Sequence, residues 1–158
     1  MRKVIIFGNS GSGKSTLAKK LKAEGLAHLD LDTIAWQPSM PPERKALDES
    51  QKALAEFDAS NDSWVIEGCY TDLLEMAANL ASEAIFMNLE VDLCIQNAKS
   101  RPWERHKYPS KQAQDQNLSM LIEWIAQYPK RTDTFSKSAH EALFSNFNGV
   151  KVMLTENL

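Results

Sequence analysis

One run near the start constrains this chain more than anything else in it: Gly8-Asn9-Ser10-Gly11-Ser12-Gly13-Lys14-Ser15-Thr16, a match to G-x-x-x-x-G-K-[ST]. It follows a short β-branched apolar stretch, Val4–Phe7, and opens a helical pattern with Leu17, Ala18 and Leu21. Strand, glycine-rich loop and helix in that order build an anion cradle. The glycines let successive backbone N–H groups turn inward, and the helix N-terminus adds partial positive charge. Lys14 then reaches the β- and γ-phosphates, the Ser15 hydroxyl ligands Mg²⁺, and Thr16 donates to the α-phosphate. Gly8, Asn9, Ser10, Gly11, Ser12, Gly13, Lys14, Ser15 and Thr16 are therefore the expected nucleotide-binding residues, with ATP and Mg²⁺ as cofactors. A glycine-rich turn that merely caps a helix is the plainer alternative, and average residue usage makes a chance match of this kind rare.

Downstream, short apolar runs alternate with helical patterns. Ala27–Leu31, Trp64–Ile66, Ala84–Leu89 and Val150–Leu154 read as strands. Helices are expected from Lys14 to a cap at Gly25, after Pro42, over Leu73–Ala81, from Val91 toward Pro102, around Leu118–Ile125 up to Pro129, and around Ala139–Phe147. Gln37–Pro42, with three prolines, and Arg101–Lys111 read as loops. Such alternation implies parallel strands joined by right-handed crossovers, hence a three-layer α/β/α sandwich. Ligands then sit beyond the carboxyl ends of the strands. Gly8, Asp32, Glu67 and the residues after Leu89 should share one crevice. The 158 residues suit one domain, 1–158, with a possible lid at about 101–115.

Composition removes several classes. Apolar residues at 43% and charged residues at 25% are those of a globular chain. A net charge of −3 without a basic stripe argues against nucleic acid and anionic membrane surfaces as partners. Cys69 and Cys94 are too few for a disulfide framework, and no 18-residue apolar run exists to span a bilayer. The expectation is a cytoplasmic protein, monomeric or homodimeric, acting on a small-molecule acceptor. Its histidines show no metal-ligand spacing.

Acidic residues fall at the ends of the predicted strands. Asp30 and Asp32 are two apart, so strand geometry points both to one side. Beside a triphosphate, one carboxylate serves a hydrated Mg²⁺ and the other orients an attacking hydroxyl. Glu67, after Trp64-Val65-Ile66, is placed to bind Mg²⁺ water, to cap the next helix or to hold substrate. Arg101 and Arg105 lie in the polar loop, where cations can meet charge developing around the γ-phosphate. His106, Lys107 and Arg131 are weaker candidates. Trp36 and Tyr70 are placed to stack on an acceptor ring or to pack their loops. Trp64 and Trp124 read as core.

The chain resembles the small P-loop kinases, which include the adenylate kinase and shikimate kinase families. His28-Leu29-Asp30-Leu31-Asp32, Trp36-Gln37-Pro38 and Trp64-Val65-Ile66-Glu67-Gly68-Cys69-Tyr70 are similar in order to a bacterial group variously called topology modulation proteins, adenylate kinase-like ATPases or shikimate kinase-like proteins. The resemblance implies a five-stranded parallel sheet of order 2-3-1-4-5. It also implies a kinase in which Asp30 serves the metal and Asp32 the substrate; by placement, Ser15 and Glu67 join Asp30 at the metal, and Trp36, Glu67 and Tyr70 join Asp32 at the substrate. Lys14, Asp32, Arg101 and Arg105 would be catalytic. The pattern departs from both named families. There is no glycine triplet after the third strand, and no arginine between Glu67 and Arg101 to clamp an AMP phosphate. The expected reaction is transfer of the ATP γ-phosphoryl to a small hydroxyl or nucleotide acceptor. A nucleotide-dependent regulatory ATPase is the alternative.

Overall fold

A computed structural model describes residues 1–158. Its elements are β1 (Lys3–Gly8), α1 (Lys14–Ala23), β2 (Ala27–Asp30), α2 (Asp32–Ala35), α3 (Leu47–Ser60), β3 (Trp64–Gly68), α4 (Thr71–Ala78), β4 (Glu83–Met87), α5 (Val91–Lys99), α6 (Lys111–Ala126), α7 (Lys137–Asn146) and β5 (Val150–Leu154). The five strands pair in parallel in the order β2-β3-β1-β4-β5. That is the order the resemblance implied.

The period-2 alternation of β1 divides the core. Val4 and Ile6 face one side of the sheet, packing with Ala18, Leu21, Cys94 and Ile125 from α1, α5 and α6. Ile5 and Phe7 face the other, with Leu54, Leu73, Leu74 and Leu143 from α3, α4 and α7. All four β1 side chains are wholly buried, each contributing about 1.5–3 kcal/mol by burial.

Local chemistry sets the helix ends. Gly25, at φ 107°, ends α1, and the N–H of Leu26 reaches back to Leu21 O at 3.2 Å. Ser110 and Ser136 cap α6 and α7, each Oγ accepting from the N–H three residues on at 3.0 Å. Of the residues expected as a lid, 101–110 are non-helical apart from a turn, and 111–115 already belong to α6.

Two expectations are corrected. The second strand stops at Asp30, because Leu31 takes helical angles (φ −60°, ψ −23°) and Asp32 begins the short α2. Asp30 and Asp32 are therefore not strand neighbours of period two. Instead, the Asp32 N–H donates to Asp30 Oδ1 at 2.9 Å, an Asx-type turn. Trp124 is not core: it is half-buried and faces a cavity.

His140, on α7, is fully buried against Phe7 and Phe86 of the sheet and against Tyr128. Its Nε2 lies 2.8 Å from Cys69 O and its Nδ1 lies 2.7 Å from the Tyr128 hydroxyl. A carbonyl only accepts, so Nε2 carries the proton and Nδ1 accepts from Tyr128. Burial pushes this imidazole down to about 4.

Candidate active site

The carboxyl ends of β1, β2 and β3 open into a cavity of about 720 Å³. Its floor is the G-x-x-x-x-G-K-S loop. Gly11 and Gly13 hold φ of 78° and 92°, values that favour glycine. A Cβ on Gly11 would strike the backbone carbonyl of Cys94, so α5 packs directly on the loop.

The loop carbonyls are tied down from outside. Asn97 Nδ2 donates to Gly11 O at 2.8 Å, and Asn157 Nδ2 donates to Ser12 O at 3.0 Å. The two amides join each other at 2.8 Å. A trans peptide sets its N–H opposite its C=O, so pinning these carbonyls fixes the direction of the following N–H groups. The N-terminus of α1, like those of α2–α5, has no side-chain cap, and it alone opens from the glycine loop. Its leading N–H groups are left for a ligand. Ser12 Oγ is also buried there without a partner. An uncapped helix start, an orphaned hydroxyl and a glycine cradle together fit a bound polyphosphate. Lys14 Nζ rests on Asn9 O at 2.7 Å and Gly8 O at 3.3 Å.

Oxygen donors cluster beside Lys14. Ser15 Oγ donates to Glu67 Oε2 at 2.7 Å, and His28 Nε2 lies 3.2 Å from the same oxygen. Burial raises the Glu67 carboxyl, but the bonds from His28 and Ser15 and the Lys14 charge outweigh it and hold it low. Asp30 is pushed up to about 6 by burial and by the charges of Glu67 and Asp32. No group of three or more His, Cys, Asp and Glu side chains forms a metal cage. Magnesium needs none: it keeps several waters and takes one or two protein oxygens plus phosphate. Ser15, Glu67 and Asp30 are such hard oxygen donors.

Asp32 also lines the cavity, held by an aromatic relay. The Tyr70 hydroxyl donates to Asp32 Oδ1, and Trp36 Nε1 donates to the Tyr70 oxygen at 2.7 Å. Burial and the Asp32 charge raise the Tyr70 phenol far above its ordinary range, so it remains a donor. Lys107 Nζ, from the loop before α6, lies 3.7 Å from Asp32 and 3.6 Å from Glu104. Burial lowers its pKa, but Asp32, Glu104 and Asp30 outweigh this and raise it. Lys107 is a permanent cation over the cavity.

The candidates from sequence thus divide. Ser10, Gly11, Gly13, Lys14, Ser15 and Thr16 line the cavity with Asp30, Asp32, Trp36, Glu67, Tyr70 and Arg101. Gly8, Asn9 and Ser12 shape the loop from beneath, Asn9 by donating to Ile125 O at 3.1 Å. Arg101 is paired with Glu104 at 3.1 Å. Arg105 does not line the cavity; its guanidinium lies 5.0 Å from the Trp103 ring centroid. Phe135, Trp124, Asn97 and Asn157 enter the site without any sequence signal, and Lys107 contributes more than a polar loop residue promised.

No family model and no curated protein matches this sequence. Solved structures do resemble it. A sugar kinase from Janibacter sp. HTCC2649, solved without ligand, superposes with a TM-score of 0.53 at 14% identity, over 98% of this chain and 85% of that one. A shikimate kinase from Bacteroides thetaiotaomicron gives 0.49 at 16%, over 91% of this chain and 97% of that one. A gluconokinase from Sinorhizobium meliloti 1021 gives 0.46 at 16%, over 99% and 84%. At 14% identity the likeness to the sugar kinase is one of fold alone. The parallel 2-3-1-4-5 sheet, with helices on both sides and the G-x-x-x-x-G-K-S loop leaving its central strand, is a P-loop α/β fold.

Proposed function

We propose that the protein is a phosphotransferase, moving the γ-phosphoryl group of Mg-ATP to a small acceptor hydroxyl. One observation carries this reading: an uncapped phosphate cradle and a hydrogen-bonded carboxylate, Asp32, line one and the same cavity. A purely regulatory nucleotide switch has no need of the second.

The roles follow from placement. Backbone N–H groups of residues 11–16 bind the β- and γ-phosphates, and Lys14 exchanges its two carbonyl partners for phosphate oxygens. Magnesium, when bound through Ser15 and the Glu67 and Asp30 carboxylates, supplies charge neutralisation on the phosphates. Asp32 accepts the proton of the acceptor hydroxyl. That oxygen bonds to the γ-phosphorus as the bond to the β,γ-bridging oxygen breaks, and ADP leaves with that electron pair. Arg101 and Lys107 stabilise charge on the transferring group. Tyr70 and Trp36 hold the Asp32 carboxylate in one orientation.

The test is ADP release by purified protein with Mg-ATP and a panel of nucleosides, nucleoside monophosphates, shikimate and polyols. The expected result is one acceptor class that raises turnover manyfold, abolished by Lys14→Ala. Flat turnover across the panel, with ATP bound, would instead favour a regulatory ATPase.

A further inference from the structure

Aromatic rings wall part of the same cavity. Trp36, Tyr70, Phe135 and Trp124 run as a continuous edge-to-face chain, with successive centroids 6.3, 5.2 and 5.3 Å apart. All four line the cavity, although they come from four separate places in the chain.

The arginines of this region do not. Arg44 stacks over Tyr70 at 4.9 Å and donates to Asp72 at 3.1 and 3.2 Å. Arg131 stacks 3.7 Å from the Trp124 centroid and is paired with Asp133. Neither guanidinium reaches the cavity surface. Outside the P-loop helix, the cavity's cations are Arg101, bound by Glu104, and Lys107, between Asp32 and Glu104. Asp30, Asp32, Glu67 and Glu104 face the same space.

We infer that the acceptor is an uncharged alcohol carrying its hydroxyl next to a ring, which lies against the wall formed by Trp36, Tyr70, Phe135 and Trp124. Aromatic faces reward a flat or apolar ring surface. A phosphate or carboxylate on the acceptor would meet Asp30, Asp32, Glu67 and Glu104, while Arg101 and Lys107 already share their charge with Glu104 and Asp32, so anionic acceptors are disfavoured by charge. The inference rests on the phosphotransferase reading for its chemistry, but not for its binding preference. The reacting hydroxyl gives its proton to Asp32, forms the new bond to the γ-phosphorus, and releases ADP.

Two measurements separate the preference from the reaction. Calorimetric titration in Mg-ADP compares adenosine, uridine and glucose with AMP, UMP, shikimate and gluconate. Mg-ATP turnover is measured on the same compounds, with Lys14→Ala as the control. At least one uncharged ring compound should bind about tenfold or more tighter than its anionic counterparts, and Trp36→Ala should weaken it by about tenfold. An unchanged affinity in Trp36→Ala, with Trp124→Ala also unchanged, would overturn the placement. Tighter binding of the phosphate- or carboxylate-bearing partner would overturn the inference while leaving a kinase in place. So would failure of every uncharged compound to bind at millimolar concentration. Selective binding without transfer would spare the preference and sink the phosphotransferase reading. Preference of nucleosides over glucose, or the reverse, would name the ring.

Discussion

The two ends of the cavity are built from different materials. The phosphate end is backbone: peptide N–H groups and left-handed glycines, with carbonyls pinned by Asn97 and Asn157. The acceptor end is side chain: four rings, a carboxylate held by a phenol, and a lysine reaching from a loop. Backbone geometry serves any polyphosphate, because every nucleotide presents the same phosphate oxygens. Side-chain walls can be rewritten one residue at a time. In the phosphotransferase we propose, the generic half of the reaction thus sits on the part of the structure least able to change, and the selective half on the part most able to.

Substitutions can break this division. Asp32→Asn should have the largest effect, lowering kcat by about 10²–10⁴ while leaving the ATP dissociation constant unchanged. Steady-state kinetics alongside nucleotide titration would reveal both; a matching loss of ATP affinity would mean that the two ends are not separable. Acid should act next. His140 donates to Cys69 O, in the turn that carries Glu67 and Tyr70. Its pKa is depressed to about 4, whereas an unfolded histidine titrates near 6.5. The unfolded chain therefore takes up a proton between those values that the native state refuses. Stability from this group is complete above about pH 6.5 and lost as pH falls through 4, by about 3 kcal/mol in total. Urea midpoints between pH 7 and 4 should show the slope, and His140→Phe should flatten it.

Gly11→Ala sharpens the phosphate side of the comparison. The new Cβ meets the Cys94 carbonyl at a left-handed φ, costing about 1–3 kcal/mol of strain. ATP should then bind roughly 10–100-fold more weakly, whereas acceptor affinity measured without nucleotide should hold. Asn157→Ala gives the smallest change. Losing the bond to Ser12 O removes about 0.5–1.5 kcal/mol of loop ordering, so ATP affinity should fall about 2–10-fold. Calorimetry with Mg-ATP resolves both.

The same division explains what could be read in the sequence. The phosphate loop is contiguous, and its spacing is dictated by one turn of chain, so Gly8–Thr16 was recognisable at once. The sheet order came with the resemblance, and each strand shows as a β-branched run between turns. The acceptor wall draws on positions 36, 70, 124 and 135, which only tertiary packing brings together. Trp124 shares its helix face with Leu121 and Ile125 and so reads as core by periodicity. Its actual place depends on how α6 crosses α5, which periodicity does not encode. Lys107 looks like one solvated charge among several, until the loop folds it between Asp32 and Glu104.

The position of β1 bears on how the protein is made. It is the first strand in the chain and the middle one in the sheet, with β3 and β4 as its neighbours. A ribosome therefore delivers Val4–Phe7 long before residues 64–87, at about 5–20 residues per second. For several seconds the most apolar strand has nothing to pair with. Nor can the nucleotide loop close early, since it leans on Met87 and Cys94. ATP cannot help the nascent chain fold until Cys94 has emerged, and the burden of guarding that strand falls on whatever waits at the exit tunnel.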